Sequence, residues 1–244
     1  VGSQTVTLTY KPNAKNAGSY TYATSAGSGK YTVTMANGTG TASNYSIGSS
    51  GTFTINKAEL AVSAYSTNWV SGATTYARSG YSTGVNSETI TLTYTPYTNA
   101  AGSYTYATSA GSGKFTLALS DSTNYSVSSA GNLTINKVNA TCPTTLTAYS
   151  GAYDGSANGI TATGASGGTI QYRTSTTGTW SNTKPTITNV GSITTYVQVL
   201  GDGNHNTVDC GSKTATVSAK SLSLGTHSAT YNGTTSYSRT FSTG

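Results

Sequence analysis

The amino-acid sequence predicts an all-β protein: tandem small β-sandwiches in a linear rod, with one module split between the two ends of the chain. Three observations carry that expectation. Apolar residues recur at a period of two, Gly- and Ser-rich turns separate the alternating runs, and one long phrase is written twice.

The repeated phrase sets the boundaries. Val1 to Met35 aligns without a gap onto Val85 to Leu119, sharing "AGSYTYATSAGSGK", and after a short length difference "NYSIGSSGTFTINK" (Asn44 to Lys57) matches "NYSVSSAGNLTINK" (Asn124 to Lys137). Residues 58–137 therefore spell a complete module, and residues 1–57 its C-terminal two-thirds. The missing third has a relative at the far end, where "TSYSRTFSTG" (Thr235 to Gly244) resembles "TTYARSGYSTG" (Thr74 to Gly84). Residues 221–244 are expected to be the N-terminal third of a module that residues 1–57 of the next copy complete. A divergent module occupies residues 138–220.

Periodicity then assigns each element. In the complete module Ile90, Leu92 and Tyr94 share one face, followed by Tyr104 and Tyr106, by Phe115, Leu117 and Leu119, by Tyr125 and Val127, and by Leu133 and Ile135. Successive side chains of a strand point to opposite faces, so each run reads as a half-buried strand. The same places in the first segment hold Val6, Leu8 and Tyr10; Tyr20 and Tyr22; Tyr31, Val33 and Met35; Tyr45 and Ile47; Phe53 and Ile55. Strands this short, about 80 residues to a module, suit a sandwich of two antiparallel sheets. "GSGK", at Gly27 to Lys30 and again at Gly111 to Lys114, lacks the remainder of a phosphate-binding loop and is expected to be a hairpin turn. No Pro- or Gly-rich spacer separates "LTINK" from "VNATC" or "FTINK" from "AELAV", so the modules should form a stiff rod, three of them spanning on the order of 100 Å.

Composition narrows the function classes. Of 244 residues 7% are charged, and the net charge of +6 comes from 12 scattered cations without the cluster that a phosphate backbone requires, so no nucleic-acid partner is predicted. No run of 18 apolar residues occurs, and no membrane span is predicted. The 19 Tyr argue against a disordered chain, although Ser and Thr make up about a third of the residues. Cys142 and Cys210 are too few for a zinc site with His205 alone and read best as one disulfide of the divergent module, in an oxidising setting. The alternative is a pair of free thiols. Closing a loop of that length would contribute on the order of 4 kcal/mol in the chain-entropy model.

Chemistry is sparse. Asp202 and Asp209 could be paired carboxylates, and "GDGNHNTVDC" a weak metal loop, yet acids among Gly and Asn are more often turn formers. Six N-x-S/T sequons, among them Asn44 and Asn124, match what so Ser/Thr-rich a chain produces by chance. No catalytic, cofactor or metal-binding set is predicted, and no enzyme activity.

The motifs "AYDGSANG" (Ala152 to Gly159), "ATYNGTTS" (Ala229 to Ser236), the run Ile170 to Val208 and the "NYSV…LTINK" module ends resemble the YDG and MBG ("mostly β, glycine-rich") tandem modules of large bacterial surface proteins and adhesins. The resemblance covers essentially the whole chain; "AYSTNW" (Ala64 to Trp69) departs from it by lacking the Asp/Asn-Gly turn. It implies immunoglobulin-like sandwiches and a structural or adhesive role at the cell surface, outside the cell. The expected partners are further copies of the chain, head to tail, with Gly244 of one copy beside Val1 of the next. They are joined either in one polypeptide or as subunits exchanging strands. A glycan-binding adhesin module is the alternative, host or environmental glycans stacking on exposed aromatics, with Trp69 and Trp180 as its candidate contacts.

Overall fold

The structure is a computed structural model and describes residues 2–240. It groups into two units, Val1–Asn136 and Lys137–Gly244. Every regular element longer than one turn is a strand, as the period of two requires, and among the described residues the single helical feature is a 3-10 turn at Ala42–Asn44. No helix is long and apolar enough to cross a membrane among the described residues.

The first unit contains two arrangements. Strands β1 (Val6–Pro12), β2 (Gly18–Tyr22), β3 (Lys30–Asn37) and β4 (Thr52–Ile55) form one sheet in the order β1-β3-β2-β4. The complete module adds β5 (Ala58–Val62), β6 (Tyr65–Asn68), β7 (Tyr76–Ser82), β8 (Thr89–Pro96), β9 (Gly102–Tyr106), β10 (Lys114–Leu119), β11 (Tyr125–Ala130) and β12 (Leu133–Asn136). Its large sheet runs β6-β12-β9-β10-β8-β7, and β11 pairs with β5 in a small one. Between them Leu92, Tyr94, Phe115, Leu133 and Ile135 are buried almost completely, while Tyr106, Leu117, Leu119 and Val127, which the alternation assigns to the same face, are half-buried against them.

The sheets are mixed rather than antiparallel throughout. β11 runs parallel to β5 and β12 parallel to β6, because the two stretches β5–β6 and β11–β12 cross side by side from the small sheet to the large one. Gly131 N–H donates to Val62 O at 2.8 Å and Tyr65 N–H to Asn132 O at 3.0 Å at that crossing. A second difference concerns "GSGK". The turn forms, with Lys30 N–H on Gly27 O at 3.0 Å and Gly29 at φ 67°, where a side chain would be strained. Yet β2 and β3 on either side pair parallel, so the loop steps the chain sideways instead of reversing it.

The second unit holds β13 (Val138–Asn139), β14 (Thr145–Ala148), β15 (Ser150–Ala152), β16 (Asn158–Thr163), β17 (Gly168–Arg173), β18 (Thr186–Ile187), β19 (Gly191–Gly201), β20 (His205–Asn206) and β21 (Val208–Ser218). Its larger sheet runs β15-β21-β19-β17, a smaller one β14-β16-β18, and β13 pairs parallel with β20. The parallel pair β15–β21 repeats the relation of β6 to β12. Ile160, Tyr172, Val197, Val199, Ala215 and Val217 are buried, and the disulfide packs against this core through Cys210. Residues 221–240 contain no strand and are exposed.

Candidate assembly surface

The sheet of residues 2–57 is the large sheet of the complete module with its two edge strands removed. Deleting β6 and β7 from β6-β12-β9-β10-β8-β7 leaves β12-β9-β10-β8, and its equivalents in the same order are β4-β2-β3-β1. The registers agree as well: Tyr10 faces Val33 as Tyr94 faces Leu117, and Tyr20 faces Phe53 as Tyr104 faces Leu133. Among the described residues β1 and β4 therefore end the sheet with no strand along one side, where in the sister module β7 and β6 pair.

The small sheet is missing too. "NYSV" forms β11 against β5, whereas "NYSI" at Asn44–Ile47, where alternation predicts a strand, forms none. A strand needs a ladder partner for its backbone, and among the described residues no strand lies alongside Asn44–Ile47 as β5 lies alongside β11. Side-chain burial follows the same division. Leu92, Tyr94 and Tyr125 are 0%, 0% and 3% exposed, while their equivalents Leu8, Tyr10 and Tyr45 are 42%, 45% and 38% exposed. In the complete module Tyr65 of β6 stacks on Tyr94 at 4.9 Å; in the open sheet Tyr10 has Phe53 at 5.3 Å and Tyr31 at 5.6 Å, from its own strands.

Glycines record the difference most sharply. A Cβ on Gly131 would lie 2.6 Å from Ala64 N and 2.8 Å from Ala64 Cα, whereas one on the equivalent Gly51 would meet nothing within 4 Å. The backbone that occupies this space in the complete module comes from the β5–β6 connection. Residues 221–244 carry the corresponding sequence. Leu222 and Leu224 keep the spacing of Leu60 and Val62, and Tyr237 and Arg239 keep that of Tyr76 and Arg78; Leu222, Leu224 and Tyr237 are exposed. The predicted junction of Gly244 with Val1 lies outside the described residues.

Electrostatics at this surface are local. Glu88 Oε2 accepts the Tyr125 hydroxyl at 2.6 Å and Oε1 lies 3.5 Å from Lys15 Nζ, which together hold its carboxyl below the usual range, the tyrosine hydrogen bond contributing most. The sister pair is uncharged: the Tyr45 hydroxyl donates to Gln4 Oε1 at 2.9 Å.

The other residues singled out by sequence have these places. Cys142 and Cys210 are joined, with Cα atoms 5.5 Å apart. The Trp69 indole N–H donates to Asn99 O at 3.1 Å and its ring packs on the complete module's core. Trp180 is half-buried under the Arg173 guanidinium, 4.2 Å from the ring centre. Asp202 takes the Asn204 N–H at 2.8 Å and contacts His205 Nδ1 at 2.7 Å, the histidine being the main cause of its lowered pKa. Asp209 takes the Gly211 N–H at 2.8 Å, so both acids close turns.

Sequence reasoning missed Gly51 and Gly131. The glycine pair was legible as "SSG" against "SAG" in equivalent places, but only coordinates show which backbone approaches it. No family model, no curated protein and no solved structure matches the chain.

Proposed function

We propose that the chain is a structural repeat of an extracellular bacterial filament or adhesin stalk, in which residues 221–244 of one copy complete the open sheet of residues 1–57 of the next. The observation that carries this is the order β1-β3-β2-β4, which is the complete module's sheet less β6 and β7, the strands that lie in the stretch 58–84 whose two ends residues 221–244 resemble. Docking those strands would pair both sheet edges, give Tyr45 to Ile47 a partner, and cover Leu8 and Tyr10. The contact is heterologous, head to tail, so it propagates into a fibre instead of closing as a dimer. Peptide continuity between copies and exchange between separate subunits use the same strands. The disulfide suits an oxidising compartment, and the YDG/MBG resemblance implies surface display of immunoglobulin-like modules.

Hydrogen exchange tests this on the intact chain over a range of concentrations. Association should be accompanied by new protection of amides in β1, in β4 and at Tyr45 to Ile47. A chain that stays monomeric at millimolar concentration, or associates with those amides unprotected, refutes it.

A further inference from the structure

Completing the sheet is one attachment between copies; the first unit contains a model for another. Where residues 2–57 meet the complete module, the Ala17 N–H donates to the Asn124 side-chain oxygen at 2.8 Å. The Asn124 amide nitrogen donates to Asp121 Oδ2 at 2.8 Å and lies 3.4 Å from Asn16 Oδ1, which turns its oxygen toward Ala17. Lys57 Nζ caps the same turn by donating to Ser122 O at 2.6 Å. Asn124 therefore acts as a socket on one module for a backbone N–H of the module before it.

Both halves of this socket recur elsewhere in the chain, at equivalent positions. Asn44 is the sequence equivalent of Asn124, and beside it the Tyr45–Gln4 hydrogen bond repeats Tyr125–Glu88. Its turn is held differently, Asn37 Oδ1 taking the Ala42 N–H at 2.7 Å where Asp121 serves in the complete module. The donor half recurs in the divergent module. Ala17 precedes Gly18 (φ 153°), which pairs with Ile55; Val190 precedes Gly191 (φ 151°), which pairs with Val217, and Ile55 and Val217 both sit in the strand that ends the module. Val190 thus stands where Ala17 stands. It is exposed and lines a cleft of about 370 Å³ with Tyr153, Asp154, Gly155, Lys220 and Leu222. At the internal joint, where Asn124 has its donor, the cleft lined by Ala17, Asn56, Ala58, Asn124 and Tyr125 is smaller, about 200 Å³.

We infer that Val190 of one copy donates its backbone N–H to the Asn44 carboxamide of the following copy, the Gln4–Tyr45–Asn44 face closing the Tyr153–Val190–Leu222 cleft. The inference rests on the proposed head-to-tail reading, and the occupant it commits to is a second copy of this chain. It adds a joint between the divergent module and the completed one, so that strand completion and end-on docking together hold adjacent modules in one orientation.

A photoreactive amino acid at Ala42, one turn from Asn44 and leaving it intact, tests the contact in a mixture of isotopically light and heavy full-length chains. The expected crosslinks join light to heavy chains at residues 153–155 or 188–191. Asn44→Ala should weaken association about tenfold, the loss of one hydrogen bond, while Asn44→Asp, which keeps an acceptor, should weaken it less. Mixed crosslinks confined to residues 221–240 would leave strand completion standing and overturn the socket. Association unchanged in Asn44→Ala would overturn it too, and the absence of any mixed crosslink with chains monomeric would remove the socket together with the reading beneath it.

Discussion

Gly51→Ala separates a sheet that stays open from one that another copy completes. In the chain alone the new methyl meets nothing within 4 Å, and the backbone there is not in the left-handed region, so the folded chain should tolerate it within about 0.5 kcal/mol. In the complete module the same methyl, on Gly131, would stand 2.6 Å from Ala64 N, 2.8 Å from Ala64 Cα and 3.0 Å from Ala64 Cβ. Two of those three atoms are backbone, which cannot rotate away, so the crossing strands must separate at a cost of about 1–3 kcal/mol. If residues 221–244 of a second copy enter Gly51's surroundings as β5–β6 enter those of Gly131, Gly51→Ala should carry that cost only on association. One to three kcal/mol is about a 5- to 150-fold rise in the dissociation constant. Sedimentation velocity over a concentration series reads the association, and denaturant unfolding of dilute chains reads the fold. Gly131→Ala should destabilise the dilute chain by the same 1–3 kcal/mol and serves as the internal standard. A Gly51→Ala chain that associates like the parent, while Gly131→Ala is destabilised as expected, would refute the claim that the two sheets are completed in the same way.

Further expectations follow from the same comparison of sister residues. Tyr94→Ala, at a fully buried ring, should cost about 4 kcal/mol in dilute chains, and Tyr10→Ala, at a ring 45% exposed, roughly half of that; on association the two costs should converge, and equal costs in the dilute chain would contradict the open face. Replacing both Cys142 and Cys210 by Ala should destabilise the second unit by about 4 kcal/mol, since the bridge spans 68 positions, with the first unit's unfolding unchanged; a loss under about 1 kcal/mol would count against the chain-entropy account. Glu88 has a lowered pKa, so its contribution is present at neutral pH and above and is lost as the pH falls through the folded-state value. Glu88→Gln, which recreates the Gln4–Tyr45 arrangement, should flatten the acid limb of the first unit's stability profile; an unchanged limb would assign that pH dependence to other carboxylates.

Much of the fold was legible before any coordinates. Alternation marks Leu92, Tyr94, Phe115, Leu133 and Ile135 as inward because a strand's side chains change face at every residue, and these five are buried, although Tyr106, Leu117, Leu119 and Val127, marked in the same way, are only half-buried. The repeat likewise predicts module boundaries, and predicts that residues 221–244 and 1–57 are complementary in sequence. Two cysteines and too few further ligands for zinc favoured the Cys142–Cys210 bridge, which the structure contains.

What the sequence by itself determined was therefore local: which residues form strands, which face of each is apolar, and which stretches are copies of one another. Tertiary structure decided everything that depends on neighbours. Identical periodicity makes Tyr125 a strand residue and leaves Tyr45 outside any strand, because a ladder exists only when a second backbone lies alongside. The same alternation buries Tyr94 and exposes Tyr10, since burial belongs to what covers a face and not to the residue on it. Parallel pairing of β5 with β11 and β6 with β12 was likewise invisible, because direction is set by how two chain segments cross between sheets, and no side-chain pattern encodes that crossing apart from a glycine where the backbones touch.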